Sequence, residues 1–126
     1  MKGILRLNQR ALIAAALTIL VSSALAADLD SFLAGTNRNC VECDLSARDF
    51  GGRELKLSNL DHAKLSNANF AAASLFRSTL QHADLSGANL ARSNLNLIDA
   101  KWAVFIKADL TDALLYEADL SGADFS

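Results

Sequence analysis

Proline is absent from the whole chain of 126 residues. Every position therefore keeps its backbone N–H donor, and nothing interrupts a regular backbone ladder. Cysteine is nearly absent as well, with Cys40 and Cys43 the only two. A basic excess is missing. Twelve Lys plus Arg face fourteen Asp plus Glu, for a formal net charge of −2, and this leaves no electrostatic footprint for nucleic acid. No glycine-rich phosphate loop is present, and no nucleophile, base and orienting group stand together. The residues thus point to no catalytic, cofactor or metal site.

Long apolar runs are also missing, with one exception at Ala11 to Leu20. Lys2, Arg6 and Arg10 precede that run, and the small residues Ala24-Leu25-Ala26 follow it. A basic start, a short apolar run and a small-residue site together predict a secretory signal peptide over 1–26. The run is short for a membrane span, so none is expected after cleavage. No Cys follows the cleavage site, which argues against a lipoprotein anchor. Cleavage removes three cations and no anion, leaving nine Lys plus Arg against fourteen Asp plus Glu, a net charge of −5. The mature protein is expected to be periplasmic or secreted.

The remainder is organised by a period of five. Leu45, Phe50, Leu55, Leu60, Leu65, Phe70, Leu75, Leu80, Leu85, Leu90 and Leu95 mark the units. Ala100 is the one small exception, and Phe105, Leu110, Leu115, Leu120 and Phe125 complete the series. Two residues before nearly every centre stands a small one, such as Ala63, Ser78 or Ala88. Asp or Asn usually occupies the place just before the centre, as at Asp84, Asn89 and Asp109. A helix cannot bury this pattern, because centres five apart would sit about 140° apart and spiral around the rod. A flat strand fails because an odd repeat sends alternate centres to opposite faces. Within one unit, however, the small residue and the centre lie two apart and point the same way. The chain must then turn a corner before the next unit. A corner every five residues, with the same side always inward, makes a coiled solenoid.

The unit Ala-Asp/Asn-Leu-x-x, repeated seventeen times between Cys43 and Phe125, resembles the pentapeptide-repeat proteins. The resemblance implies an all-β solenoid, a right-handed quadrilateral β-helix with four units to a coil. Phe50 and Phe70, Phe105 and Phe125, Asn69 and Asn89, and His62 and His82 are each twenty apart, which agrees with a twenty-residue layer. The chain then divides into a signal peptide at 1–26, an N-terminal cap at 27–42 and the repeat at 43–126. In the cap, Asp28 or Asp30 can start a short helix, Leu29, Phe32 and Leu33 share one face, and Gly35 stops it. Such a helix would cover the open first layer of the solenoid.

Cys40-Val41-Glu42-Cys43 follows the cap, and Cys-x-x-Cys-Asp-Leu-Ser resembles the entrance to the repeats in exported members of this family. A Cys40–Cys43 disulfide is the expectation in an oxidising compartment. Haem attachment would need His where Asp44 stands, zinc would need two nearer ligands, and thiol redox chemistry lacks a βαβ context. Arg48 and Arg53 occupy inward places in the first coil and are expected to reach water past its open end. Ile98 and Ala100 invert the usual small and large residues, which reads as a volume-conserving swap in the core.

On a four-sided coil, His62, His82 and Trp102 form one outward column, which reads as stacked rings more readily than as a metal site. Leu57, Phe76, Leu97, Leu114 and Tyr116 fall at outward or corner positions and suggest a partner surface. The leading functional reading is a non-enzymatic exported scaffold or protein-binding rod that takes no cofactor. The runner-up is the DNA-mimic, topoisomerase-binding type known in the family, which calls for the cytoplasm and a longer acidic rod. A third class, thiol oxidoreductase, rests on the two cysteines alone. The last coil would leave Leu110, Leu115, Leu120 and Phe125 open below, so an end-to-end homodimer is expected there. The acids Asp109, Asp112, Glu117, Asp119 and Asp124 oppose that joint, so salt should tighten it.

Overall fold

The structure is a computed structural model and describes residues 25–126. The signal-peptide reading falls on 1–26, nearly all of it outside the described residues. Fourteen parallel bridges join residues twenty apart, from Asn39↔Asn59 to Val104↔Asp124. Each unit contributes one bridging residue to a ladder and then turns, so the coil has four faces. The first face carries Asn39, Asn59, Thr79, Asp99 and Asp119; the second carries Asp44, Lys64, Asp84, Val104 and Asp124. The third runs through Asp49, Asn69, Asn89 and Asp109, and the fourth through Glu54, Ser74, Asn94 and Leu114.

A unit with Asp or Asn before its centre, inside the rod, places all of its backbone donors. In Ala88–Arg92, the Ala88 amide donates to Leu85 O at 3.0 Å and closes a turn, while Asn89 N reaches up to Ala68 O at 2.9 Å. Leu90 N and Arg92 N reach down to Asp109 O and Thr111 O at 2.7 and 2.8 Å. Only Ala91 N is left over, and it donates to the Asn89 side-chain oxygen at 3.0 Å. This explains why Asp or Asn precedes the centre. Its side chain takes the one amide that the ladders cannot use, as a buried or crowded backbone donor requires. Asp44, Asp49, Asn59, Asn69, Asp84, Asn94, Asp109, Asp119 and Asp124 accept from the amide two residues on in the same way.

The turn demands a left-handed residue at its third place, the requirement of a type II turn. Gly52, Gly87 and Gly122 supply three of these, and fourteen other residues take φ between 52° and 61° without being glycine. Each pays roughly 1 kcal/mol in steric strain, and the ladders on either side hold it there.

The core consists of vertical stacks. Leu45, Leu65 and Leu85 lie over Phe105 within it, and all are buried. Phe50 stacks on Phe70 with ring centroids 5.1 Å apart. The inverted unit behaves as a swap, since Ile98 and Ala100 are 2% and 0% exposed. Buried Ser58 and Ser93 return their hydroxyls to the carbonyls three residues earlier, each at 2.6 Å, which is why serine substitutes for alanine at the inner corner.

Helix α1 spans 25–33. Asp28 and Asp30 therefore lie inside it rather than at its start. Its C-terminus closes with Gly35 N on Phe32 O at 2.9 Å and Thr36 N on Ser31 O at 3.0 Å, a Schellman arrangement with Gly35 at φ 80°. Phe32 is 1% exposed and meets Phe50 edge to face at 6.1 Å. Leu29 and Leu33 pack against the same core. The ladder begins at Asn39, one unit before Cys43. Cys40 sits where a leucine would stand, so the count of leucines conceals that unit.

Candidate functional site

Cys40 and Cys43 meet across the first corner, with their sulphurs 1.99 Å and their Cα atoms 5.2 Å apart. Both are buried, at 0% and 5% exposure. The two inward arginines separate. Arg48 is exposed. Arg53 lies over the Phe50 ring at 5.7 Å and donates from Nη2 to the Leu33 carbonyl at 3.1 Å, which ties the first coil to α1.

The ring column forms as expected, along the corner between the first and second faces. His62 stacks on His82 at 4.9 Å, and His82 on Trp102 at 5.1 Å, with the planes within 12°. Gly122 ends the column. A methyl group there would collide with the indole of Trp102. Trp102 thus has His82 on one face and the Gly122 backbone beneath the pyrrole part of the other, and it remains 53% exposed. The imidazole planes are parallel and a full layer apart, so their in-plane lone pairs do not converge on one ion. Among the described residues no three His, Cys, Asp or Glu side chains converge on a metal position, and no cavity opens.

Beside the column runs a polar ladder. Gln81 Nε2 donates to Asp99 Oδ2 at 2.6 Å, and Lys101 Nζ lies 3.5 Å from Asp99 and 3.3 Å from Asp119. The hydrogen bond to Asp119 and the charge of Asp99 raise the Lys101 ammonium above its ordinary value. These are exposed groups, so the pairs add little to stability.

Four carboxyls titrate below the ordinary value of 3.8: Asp44, Asp109, Asp119 and Asp124. The largest cause in each is a side-chain hydrogen bond from the Ser or Thr two residues on, followed by that residue's amide. The folded value lies below the unfolded one. Their stabilisation is therefore complete above 3.8 and lost as pH falls through the folded values. Thermal midpoints should be level from pH 6 to 5 and fall below about pH 4, by a modest amount because water screens these surface carboxyls. Asp109→Asn keeps the acceptor but cannot titrate, so its acid limb should be shallower. A midpoint that stays constant to pH 2.5 would contradict this account.

The apolar positions fall mainly on another corner, between the fourth and first faces. Leu57, Phe76, Leu97 and Tyr116 occupy it, one in each successive coil, and Leu114 lies on the adjoining fourth face. Leu57, Leu114 and Tyr116 are 61%, 55% and 70% exposed. Phe76 is half-buried beneath the Arg77 guanidinium, 5.5 Å from its ring centroid. The same ridge also carries Lys56, Asn96 and Glu117, which reading by residue type alone overlooked. The twenty-residue register would have found them.

The repeat model for pentapeptide repeats matches residues 39–75, 54–92 and 93–126. The chain belongs to the pentapeptide-repeat family. The right-handed β-helix expected from the repeat comes with that membership. Among solved structures, the chain is similar to alr5209, a pentapeptide repeat protein from Nostoc PCC 7120. The two share 25% identity with a TM-score of 0.64, over 80% of this chain and 94% of that one. It is also similar to a trypsin-treated form of QnrB1, a plasmid-mediated fluoroquinolone resistance protein. There the identity is 26% and the TM-score 0.60, over 65% of this pentapeptide-repeat chain but only 40% of QnrB1. No curated protein matches.

Proposed function

We propose that this pentapeptide-repeat protein is a non-enzymatic scaffold of the cell envelope, exported to the periplasm or beyond, which offers one ridge of a rigid rod to a protein partner. The observation that carries the reading is the ridge itself. It holds a file of large apolar side chains, one in each of four successive coils. Such a file lowers free energy when a partner covers it. Helix α1 serves as the cap of the first coil, held there by Phe32 and Arg53. A Cys40–Cys43 disulfide suits an oxidising compartment and pins the turn between cap and coil. Among the described residues no helix is long and apolar enough to cross a membrane.

The topoisomerase-binding alternative takes its support from QnrB1, of which this chain spans under half. Two features weigh against it. One is the basic, apolar and small-residue sequence of the first 26 residues. The other is the crowding of Asp109, Asp112, Glu117, Asp119 and Asp124 at one end of the rod, where a DNA mimic would spread its charge. Self-association through the last coil also belongs to this proposal. Leu115 and Phe125 are 37% and 50% exposed there.

Fractionation of producing cells with N-terminal sequencing tests the reading. Protein beginning at Ala27 outside the cytoplasm is expected. A chain that retained Met1 in the cytoplasm would sink the export proposal and revive the alternative.

A further inference from the structure

The ridge between the fourth and first faces carries two outward residues in each coil. Successive coils show Lys56 and Leu57, Phe76 and Arg77, Asn96 and Leu97, and Tyr116 and Glu117. The first of each pair stands on the fourth-face side, the second on the first-face side. The apolar member therefore changes column at every step, in the order Leu57, Phe76, Leu97, Tyr116. Coils lie about 4.8 Å apart, so the apolar side chains make a zigzag with that rise. The polar members make the opposite zigzag, from Lys56 and Arg77 through the neutral Asn96 to Glu117.

This spacing selects the element that can cover it. An amphipathic helix also alternates its apolar stripe between two columns, because its a and d positions follow each other every 3.5 residues or so, a rise of about 5.3 Å. Over the three steps from Leu57 to Tyr116 such a helix climbs about 15.8 Å and the ridge about 14.4 Å. The mismatch is about a quarter of one step. An extended strand fails, since its same-side residues stand in one column about 6.7 Å apart. We infer that the ridge docks an amphipathic α-helix of the partner, laid along the rod, acidic over Lys56 and Arg77 and basic over Glu117. The inference rests on the reading of the ridge as a contact surface and names the element that meets it. About eleven residues of helix span the four coils, and a straight helix drifts only about 30° from its stripe over that length. Glu54 and Asp119 lie on faces that slope back from the ridge, and Asp119 already faces Lys101 at 3.3 Å. Leu114, exposed on the adjoining fourth face, broadens the lower end of the contact.

The test is fluorescence anisotropy of a labelled synthetic peptide of about fifteen residues, titrated with the full mature chain. The probe carries Leu at a and d, glutamate beside that stripe at one end and lysine beside it at the other. A staple on its far side holds the helix, which would fray at this length in water. The probe should bind, and Leu97→Asp should weaken binding about tenfold, the loss of one covered leucine. Leu97 holds φ at 60°, which Asp accepts more readily than Leu, and melting curves check that folding is kept. Asn67→Asp, on the opposite corner, is the control and should change nothing. A probe with glutamate at both ends should bind about threefold more weakly to the natural chain. Glu117→Lys should exchange that preference, a readout that misfolding does not produce.

Binding that falls with Leu97→Asp and changes its end preference with Glu117→Lys is the expected result. A peptide of the same composition with Leu at every second place is the extended competitor. If it binds at the ridge and the helical probe does not, the helix is overturned and the ridge stays a contact. Binding indifferent to Leu97→Asp, or no binding by either peptide, overturns the helix as well. Photocrosslinking from a benzophenone side chain at position 97, in intact envelopes, then tests the ridge itself. A link to another protein keeps the ridge as a contact surface. A link to a second copy makes that copy the partner, and no link overturns the ridge reading too.

Discussion

Leu85→Asp is expected to unfold the solenoid, with a loss of about 4 kcal/mol or more. Leu85 is 1% exposed and stands in the column between Leu65 and Phe105. Its amide donates down to Val104 O at 2.7 Å, so the side chain cannot swing outward without breaking the ladder. A carboxylate there has no cation and no spare donor within the stack, and burying it unpaired is far costlier than losing the leucine contacts. Ser86→Asp, one residue later, is the control. Ser86 lies at the corner, and its amide and hydroxyl already rest on Asp84 at 3.0 and 2.6 Å. A second carboxylate there adds repulsion at the surface, where water screens it, and should cost under about 1 kcal/mol. Circular dichroism melts of the two variants decide the matter. Equal losses would mean that the inward and outward assignment is wrong.

The inward set was legible because a centre every fifth residue admits no helix and no flat strand. Leu45 to Leu95, the small residues before them, and the compensation of Ile98 by Ala100 all followed from that argument. The reason for Asp and Asn before the centre was less visible. It depends on which amide the ladders leave unpaired, and that emerges only once the twenty-residue register is in place. The left-handed corner was hidden for a related reason. Residues such as Leu57, His62 and Trp102 do not advertise a positive φ, and the strain is imposed by the bonds on either side. The stacked rings were predictable, since twenty-residue spacing alone brings His62, His82 and Trp102 into file. Gly122 as the floor of that column was not, because its role is to lack a side chain beneath the indole. Similarly, Lys56 and Glu117 are sixty-one residues apart in the sequence. Only the coil shows that they mark opposite ends of one ridge.

Phe32→Ala should cost about 3–5 kcal/mol, the usual loss for a buried phenylalanine. Nine residues of helix do not hold together in water by themselves, so α1 depends on what it packs against. Phe32 provides most of that, with its ring edge on Phe50 at 6.1 Å and almost none of its surface exposed. Leu29 and Leu33 add partial burial, and the Arg53 bond to Leu33 O adds one polar tie. Without the ring, α1 loses its anchor, and the Phe50–Phe70 stack is left open at the first coil. The expected result is a lower melting midpoint together with faster proteolysis before Asn39. Phe125→Ala gives the comparison at the other end. Phe125 also stacks on a ring, Phe105, at 5.0 Å, but half of its surface is already free, so its loss should cost under about 1.5 kcal/mol. The same substitution in the same kind of stack thus separates by burial alone. If the two variants melt together in dilute solution, α1 does not cover the core, and the first coil is held by its own ladders and the cysteine pair.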